Sequence, residues 1–134
     1  MILSAQSIRR RCIQHLENMR DIPSEPFIQM IEPFVERGTS NGRTYGLSSC
    51  GYDVRLDQDI WLWPLWGRLG SSMEHFNIPI DLEMEIKDKS SNARKFVFVQ
   101  NTVGEPGWSG YLTFELTRFL PWPVKLRKGT PIAQ

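Results

Sequence analysis

Cysteine and histidine are scarce, with two of each in 134 residues. Cys12 and Cys50 are too few for a disulfide framework or a cysteine-rich metal site, and both read as small, partly buried hydrophobes. No apolar run approaches the roughly 20 residues of a membrane-spanning helix. The N-terminus sets Arg9-Arg10-Arg11 behind a few apolar residues, the reverse of a signal peptide, so a cytoplasmic location is expected. An excess of one charge is missing too. Sixteen Lys and Arg against 15 Asp and Glu leave a net charge of +1, which gives no field that would recruit nucleic acid. The basic runs at 9–11 and at Lys125-Leu126-Arg127-Lys128 read as solvated faces. There is no internal repeat or low-complexity segment, and the length fits one domain over residues 1–134.

What is present is mostly β. Ile8, Cys12, Ile13 and Leu16 recur at helical spacing behind Ser4, a fitting N-cap, which predicts an amphipathic helix over residues 4–19. Pro23, Pro26 and Pro33 then break regular structure, and residues 38–42 read as a loop by composition. Ile80, Leu82, Met84 and Ile86 alternate with Asp81, Glu83, Glu85 and Lys87, the pattern of a half-buried strand. Phe96 to Val99 is apolar on both faces, as in a strand covered on both sides, one of them by a neighbouring subunit. Tyr111 to Phe119 alternates again, with Leu112, Phe114 and Leu116 inward and Thr113, Glu115 and Thr117 outward. A last strand is expected near Val124 to Leu126, ahead of a turn at Gly129. Short strands between Gly/Pro turns behind one helix predict a β-sandwich or jelly-roll barrel. Trp61, Trp63 and Trp66 around Pro64 read as core or subunit interface rather than as a stacking platform.

Two common catalytic designs do not fit. Zinc-dependent nucleobase deaminases hold their metal with H-x-E followed by P-C-x-x-C. His15-Leu16-Glu17 matches the first half, but no C-x-x-C exists, so the match reads as chance and no metal ligands are expected. Neither His15 nor His75 accompanies an elbow-like serine, which leaves a Ser/His/Asp triad unsupported.

Three segments carry more chemistry. Gly46-Leu47-Ser48-Ser49-Cys50-Gly51-Tyr52-Asp53-Val54-Arg55-Leu56 reads as a turn followed by a strand. Lys89-Ser90-Ser91-Asn92-Ala93-Arg94 offers two cations and two hydroxyls within six residues, donors suited to a polyphosphate. Glu105-Pro106-Gly107-Trp108-Ser109-Gly110 is a turn whose glycines let a ligand approach the backbone, and it feeds the strand that carries Glu115. Each alone reads as ordinary surface structure. In this order, between the opening Met1-Ile2-Leu3-Ser4 and the closing Gly129-Thr130-Pro131-Ile132-Ala133-Gln134, they resemble the dCTP deaminases. Cys50 stands where a tyrosine is common in that family.

The resemblance implies a dUTPase-like distorted jelly-roll or β-barrel with a short N-terminal helix, assembled as a homotrimer with composite sites. It implies that Glu115 is the catalytic acid and base, with Ser90 and Arg94 positioning water and carboxylate. Lys89 and Ser91 would hold phosphates, Asn101 and Thr102 the base edge, and Glu105, Gly107 and Trp108 the deoxyribose. Mg²⁺ would accompany the phosphates, and no zinc would be needed. The aligned position in dUTPases is apolar, so Glu115 favours deamination, written as dCTP to dUTP plus ammonia. The family continues into a C-terminal segment that closes over the triphosphate, whereas this sequence stops at Gln134, and the stretch from Leu56 to Ile78 is shorter than usual. Substrates with fewer phosphates, an added diphosphatase step, dUTP hydrolysis and a non-catalytic nucleotide-sensing trimer all stay open.

Overall fold

The structure, a computed structural model, describes residues 2–13 and 27–134. Helix α1 spans Ala5–Cys12 and starts where Ser4 accepts a hydrogen bond from the Ser7 backbone N–H, a side-chain cap for one of the orphan donors of a helix start. It buries Ile8 and Cys12 and stops at Ile13, whose backbone is extended. The expected helix is thus shorter at its C-terminal end, and residues 14–19, like Pro23 and Pro26, lie outside the described residues.

Twelve short strands follow among the described residues. One sheet has the order β1 (Ile31–Glu32), β6 (Arg68–Asn77), β10 (Ser109–Arg118), β8 (Val97–Val99); another runs β12 (Pro131–Ala133), β4 (Gly51–Arg55), β3 (Arg43–Ser48), β2 (Gly38–Ser40). Two ribbons join β11 (Val124–Leu126) to β5 (Ile60–Leu62) and β7 (Met84–Ile86) to β9 (Thr102–Gly104). The sheets are open, so the closed-barrel form of the expectation does not hold, while its mainly β character does. Phe114, Leu116, Leu56, Leu62 and Ile132 fill the core between the sheets. Gly70 is the point of closest approach: a Cβ there would lie 2.7 Å from Leu56 Cδ1 and 3.0 Å from Ile60 Cδ1.

Several local expectations change. Residues 38–42 form a hairpin rather than a loop, with Asn41 and Gly42 at φ 50° and 72° between paired strands, the backbone that an Asn-Gly turn favours. The turn and strand expected over Gly46 to Leu56 are joined by the end of β3, which pairs with β4 as a hairpin. The expected strand from Ile80 to Lys87 shrinks to Met84–Ile86. Pro79 to Leu82 closes a turn in which the Leu82 N–H donates to the Pro79 carbonyl, leaving Ile80 87% exposed. Phe96 leaves its strand at φ 55° and is exposed, so only Val97 and Val99 are buried there. Trp61, Trp63 and Trp66 are all exposed, not core, and so is Cys50. Strands β10 and β11 stand where their alternation predicts.

The C-terminal strand organises what lies around it. β12 pairs with β4 on one side, while Gln134 and Lys87 exchange both backbone hydrogen bonds at 2.9 Å on the other. Asp88 bridges Ala133, and its Oδ1 accepts the Val99 N–H at 2.7 Å. The segment from Lys87 to Val99 is therefore tied to β12 before it and to β10 after it.

Candidate functional site

Glu115 sits on the outward side of β10, because Leu112, Phe114 and Leu116 turn their side chains into the core. Its backbone carbonyl accepts the Gln100 N–H, and Leu69 is its cross-strand partner on β6. Its carboxylate makes no ion pair among the described residues. Beside it a groove of about 350 Å³ runs along the β8 edge, lined by Asp88, Phe98, Gln100, Asn101, Thr117 and Phe119, with Val99 at its base. Thr117 follows Glu115 by two residues on the same outward face of β10, and Glu115 itself does not line the groove.

The turn at residues 105–108 has a defined form. The Trp108 N–H donates to the Glu105 carbonyl at 3.0 Å across Pro106 and Gly107, and Gly107 has φ 81°. Proline followed by a glycine at positive φ is the requirement of a type II turn. The turn is anchored by Gly107 N–H to Ile78 O and by Ile78 N–H to Trp108 O. Trp108 is partly buried against the core, while Glu105 stays exposed, as do Asn101 and Thr102.

Helix α2 (Ser90–Ala93) carries the remaining expected residues. Ser90 and Arg94 are exposed at its two ends. Lys89 is different: its Nζ contacts Asp53 Oδ2 at 2.5 Å, and both side chains are nearly buried at 13% and 10% exposure. The charge of Lys89, expected at the phosphates, is matched by Asp53. Ser91 Oγ is buried with no hydrogen-bond partner, as is Asp53 Oδ1, so Ser91 does not present a hydroxyl at the surface.

Two residues that the expectation passed over hold this segment. Asn92 is buried and donates to the carbonyls of Pro131 and Ile132 at 2.9 and 3.0 Å, while accepting from Arg43. Asp53 sits in the quoted Gly-Tyr-Asp segment, 36 residues from Lys89, and no sequence signal joins the two. Next to it Arg55 meets the fully buried Glu74 at 2.7 Å and stacks on the Tyr45 ring at 4.2 Å, a compensated buried pair.

The groove thus gathers Asp88 and Asn101, two residues ahead of Ser90 and one residue ahead of Thr102, with Glu115 outside its lining. It does not bring Arg94 to Glu115. Val97 pairs with Arg118, three residues along β10 from Glu115, about 10 Å at strand rise, and Arg94 lies three residues further back in the chain. No hydrogen bond joins Glu115 to Ser90 or Arg94 among the described residues. His15 lies outside those residues, and among them no group of three or more His, Cys, Asp and Glu side chains could hold a metal.

Comparison with known proteins bears on what this surface is. A family model described as dCTP deaminase-like matches residues 53–134. The chain belongs to the dCTP deaminase-like family. It is 35% identical to the dCTP deaminase of Anaplasma phagocytophilum, over 72% of this chain and 69% of the relative. It is 30% identical to that of Protochlamydia amoebophila, over 79% and 74%. A crystal structure of 2′-deoxycytidine 5′-triphosphate deaminase from Agrobacterium tumefaciens superposes with a TM-score of 0.59 at 17% identity, over 66% of this chain. The chain spans 37% of the length of that protein. Native EIAV dUTPase superposes at 0.56 with 16% identity, over 78% and 82%. These two likenesses give a dUTPase-like fold. The dCTP deaminase-like chain described here has no helix long and apolar enough to cross a membrane among its described residues.

Proposed function

We propose that this chain deaminates a deoxycytidine nucleotide, dCTP in the first instance, by a zinc-independent hydrolysis in which Glu115 moves the protons. The observation that carries this is a carboxylate without an ion-pair partner among the described residues, on the outward face of β10, two residues from a lining residue of a groove of about 350 Å³, in a chain whose relatives are named dCTP deaminases. Water adds to C4 of cytosine as Glu115 takes its proton and delivers it to N3. Glu115 then takes the proton of the new C4 hydroxyl and passes it to the amino group, the C4–N bond breaks, and ammonia leaves with C4 as a carbonyl. One group of suitable reach acts as base and then acid.

Asn101 and Thr102 belong to the base end of this reading, and Glu105, Gly107 and Trp108 to the sugar end, where the type II turn offers a rigid edge. Ser90 and Arg94 supply donors for water and phosphate. Since Arg94 does not reach Glu115 along its own chain, the proposal is that a neighbouring copy supplies it, in a homotrimer with composite sites. The exposed Leu69 beside Glu115, with Tyr111 and Phe119 on the same side, is the apolar surface such a neighbour would cover. Lys89 and Ser91 support the phosphate segment from within, Lys89 through Asp53. Mg²⁺ would come on the nucleotide's own phosphate oxygens and neutralise them. Two free cysteines suit a reducing, cytoplasmic setting, and a single domain over residues 1–134 completes the reading.

Purified protein offered dCTP, dCMP and dUTP, with ammonia and pyrophosphate followed separately, tests it. Ammonia from dCTP without pyrophosphate is the expected result. Pyrophosphate from dUTP without ammonia from any substrate would move the chain to the dUTPase chemistry.

A further inference from the structure

A second concavity, of about 380 Å³, shares no lining residue with the groove beside Glu115. Arg43, Lys95, Lys125 and Arg127 line it, with Asn41 and Thr130 as further polar groups, and no carboxylate does. In a chain of net charge +1, four cations on one cleft are a local concentration of charge. Lys125 is engaged by Asp59 at 2.7 Å. Arg43, Lys95 and Arg127 have no ion-pair partner among the described residues.

The cleft is assembled from anchored segments. Arg43 opens β3 directly after the Asn41-Gly42 turn, and Asn41 Nδ2 donates to the Lys128 carbonyl and to Thr130 Oγ1 at 3.1 Å, clamping that hairpin to the turn between β11 and β12. Lys95 follows α2, where its carbonyl accepts from Arg118 Nη1, and Arg127 follows β11. Arg43 is partly buried, and desolvation pulls its pKa below the usual guanidinium value. Its guanidinium donates to Asn92 Oδ1, which leaves most of its five N–H donors for another acceptor. A desolvated cation facing other cations without a carboxylate is costly unless an anion compensates it.

We propose that this cleft binds a polyphosphate, either the phosphate chain of a nucleotide or a free polyphosphate, at a site separate from the groove beside Glu115. Three unmatched cations call for more than one phosphoryl group, and the guanidinium forks of Arg43 and Arg127 suit phosphate oxygens. The proposal needs no deamination and can stand or fall apart from it. Titration calorimetry with tripolyphosphate on the full chain tests it in an Arg94→Ala background, which removes the other proposed phosphate contact. Binding is expected there at an ionic strength of about 0.15 M, where exposed charges are largely screened. Adding Lys95→Glu and Arg127→Glu should weaken it on the order of tenfold or more, since two charge-assisted contacts become repulsions. If circular dichroism shows that the reversed pair does not fold, Lys95→Gln with Arg127→Gln serves, with weakening in the same direction. Adenosine triphosphate binding more tightly than tripolyphosphate assigns a nucleotide, and equal binding assigns the phosphate chain alone. Tripolyphosphate affinity that Arg94→Ala abolishes, or that the substitutions at 95 and 127 leave unchanged, overturns the site. Introduced into the otherwise wild-type chain, with Arg94 intact, the Lys95 and Arg127 substitutions are expected to leave ammonia release at the wild-type rate.

Discussion

A glutamate on the wet side of a strand tolerates replacement, whereas one that shuttles protons does not, and Glu115→Gln separates the two. Glutamine keeps the size and hydrogen-bonding edge but cannot take and return a proton. Turnover of dCTP should fall about 10²–10⁴-fold, the usual worth of a positioned acid–base group, with nucleotide binding kept. Ammonia release near the wild-type rate would leave Glu115 as a surface residue, whose change costs within about 0.5 kcal/mol. Asp53→Asn asks a different question. It leaves the nearly buried Lys89 without its counter-charge, and breaking such a pair costs about 3 kcal/mol. Urea unfolding should register that loss, while Arg94→Ala, exposed at the end of α2, should leave the midpoint close to wild type. Equal midpoints for Asp53→Asn and wild type would mean that the pair carries no stability. The Glu115 placement was legible in the alternation of β10. The Asp53–Lys89 pair was not, because its partners stand 36 residues apart and are brought together through β12, which pairs with β4 and holds Asn92 of α2.

At the scale of elements, alternation read β10 correctly and overran β7. β10 lies between β6 and β8, and its pattern of Leu112, Phe114 and Leu116 fixes its inner face. Ile80 to Lys87 alternates as cleanly, yet the turn opened by Pro79 takes its first residues and only Met84–Ile86 finds a partner in β9. Asn41-Gly42 was a readable hairpin signal hidden in a polar composition. The β3–β4 hairpin also sets a pH response. Tyr52, on β4, accepts the Val35 N–H and donates to the Pro33 carbonyl, and burial pushes its hydroxyl from 10.0 up to about 12. Burial likewise pushes the Cys12 thiol on α1 from 9.0 up to about 11. Both groups bind their protons more tightly folded than unfolded. Their contribution is therefore complete below pH 9.0 and is lost as pH rises through about 11 and then about 12. Denaturant midpoints should drop across this alkaline window. Tyr52→Phe should start about 1–2 kcal/mol lower, having lost two hydrogen bonds, but with a shallower alkaline fall. An unchanged slope in Tyr52→Phe would remove Tyr52 from the account.

For the whole molecule, the two sheets bury one core, yet they leave a broad apolar and aromatic surface uncovered. Leu69 stands 65% exposed opposite Glu115, Phe119 71% exposed at the end of β10, and Trp66 70% exposed in the β5–β6 turn. Monomers rarely leave apolar patches of this kind open unless something binds them. The sheet that carries Glu115 also lacks Arg94 beside it, so the same face is short of both a cover and a cation. The proposed neighbouring copy of the chain would answer both needs, since closed symmetry lets each copy give and receive the same contact. Leu69→Asp tests this without touching the core, since its side chain projects outward where Gly70 projects inward. The variant should keep its circular dichroism spectrum and thermal unfolding, dissociate to monomers by light scattering, and lose dCTP turnover. Mixing Glu115→Gln with Arg94→Ala protein sharpens the outcome. If sites are shared between copies, the two inactive proteins assembled together should recover some activity where the intact Glu115 of an Arg94→Ala chain meets the Arg94 of a Glu115→Gln neighbour. A stable wild-type monomer with full turnover would instead show that one chain completes the site alone, and the apolar face would have to serve another purpose.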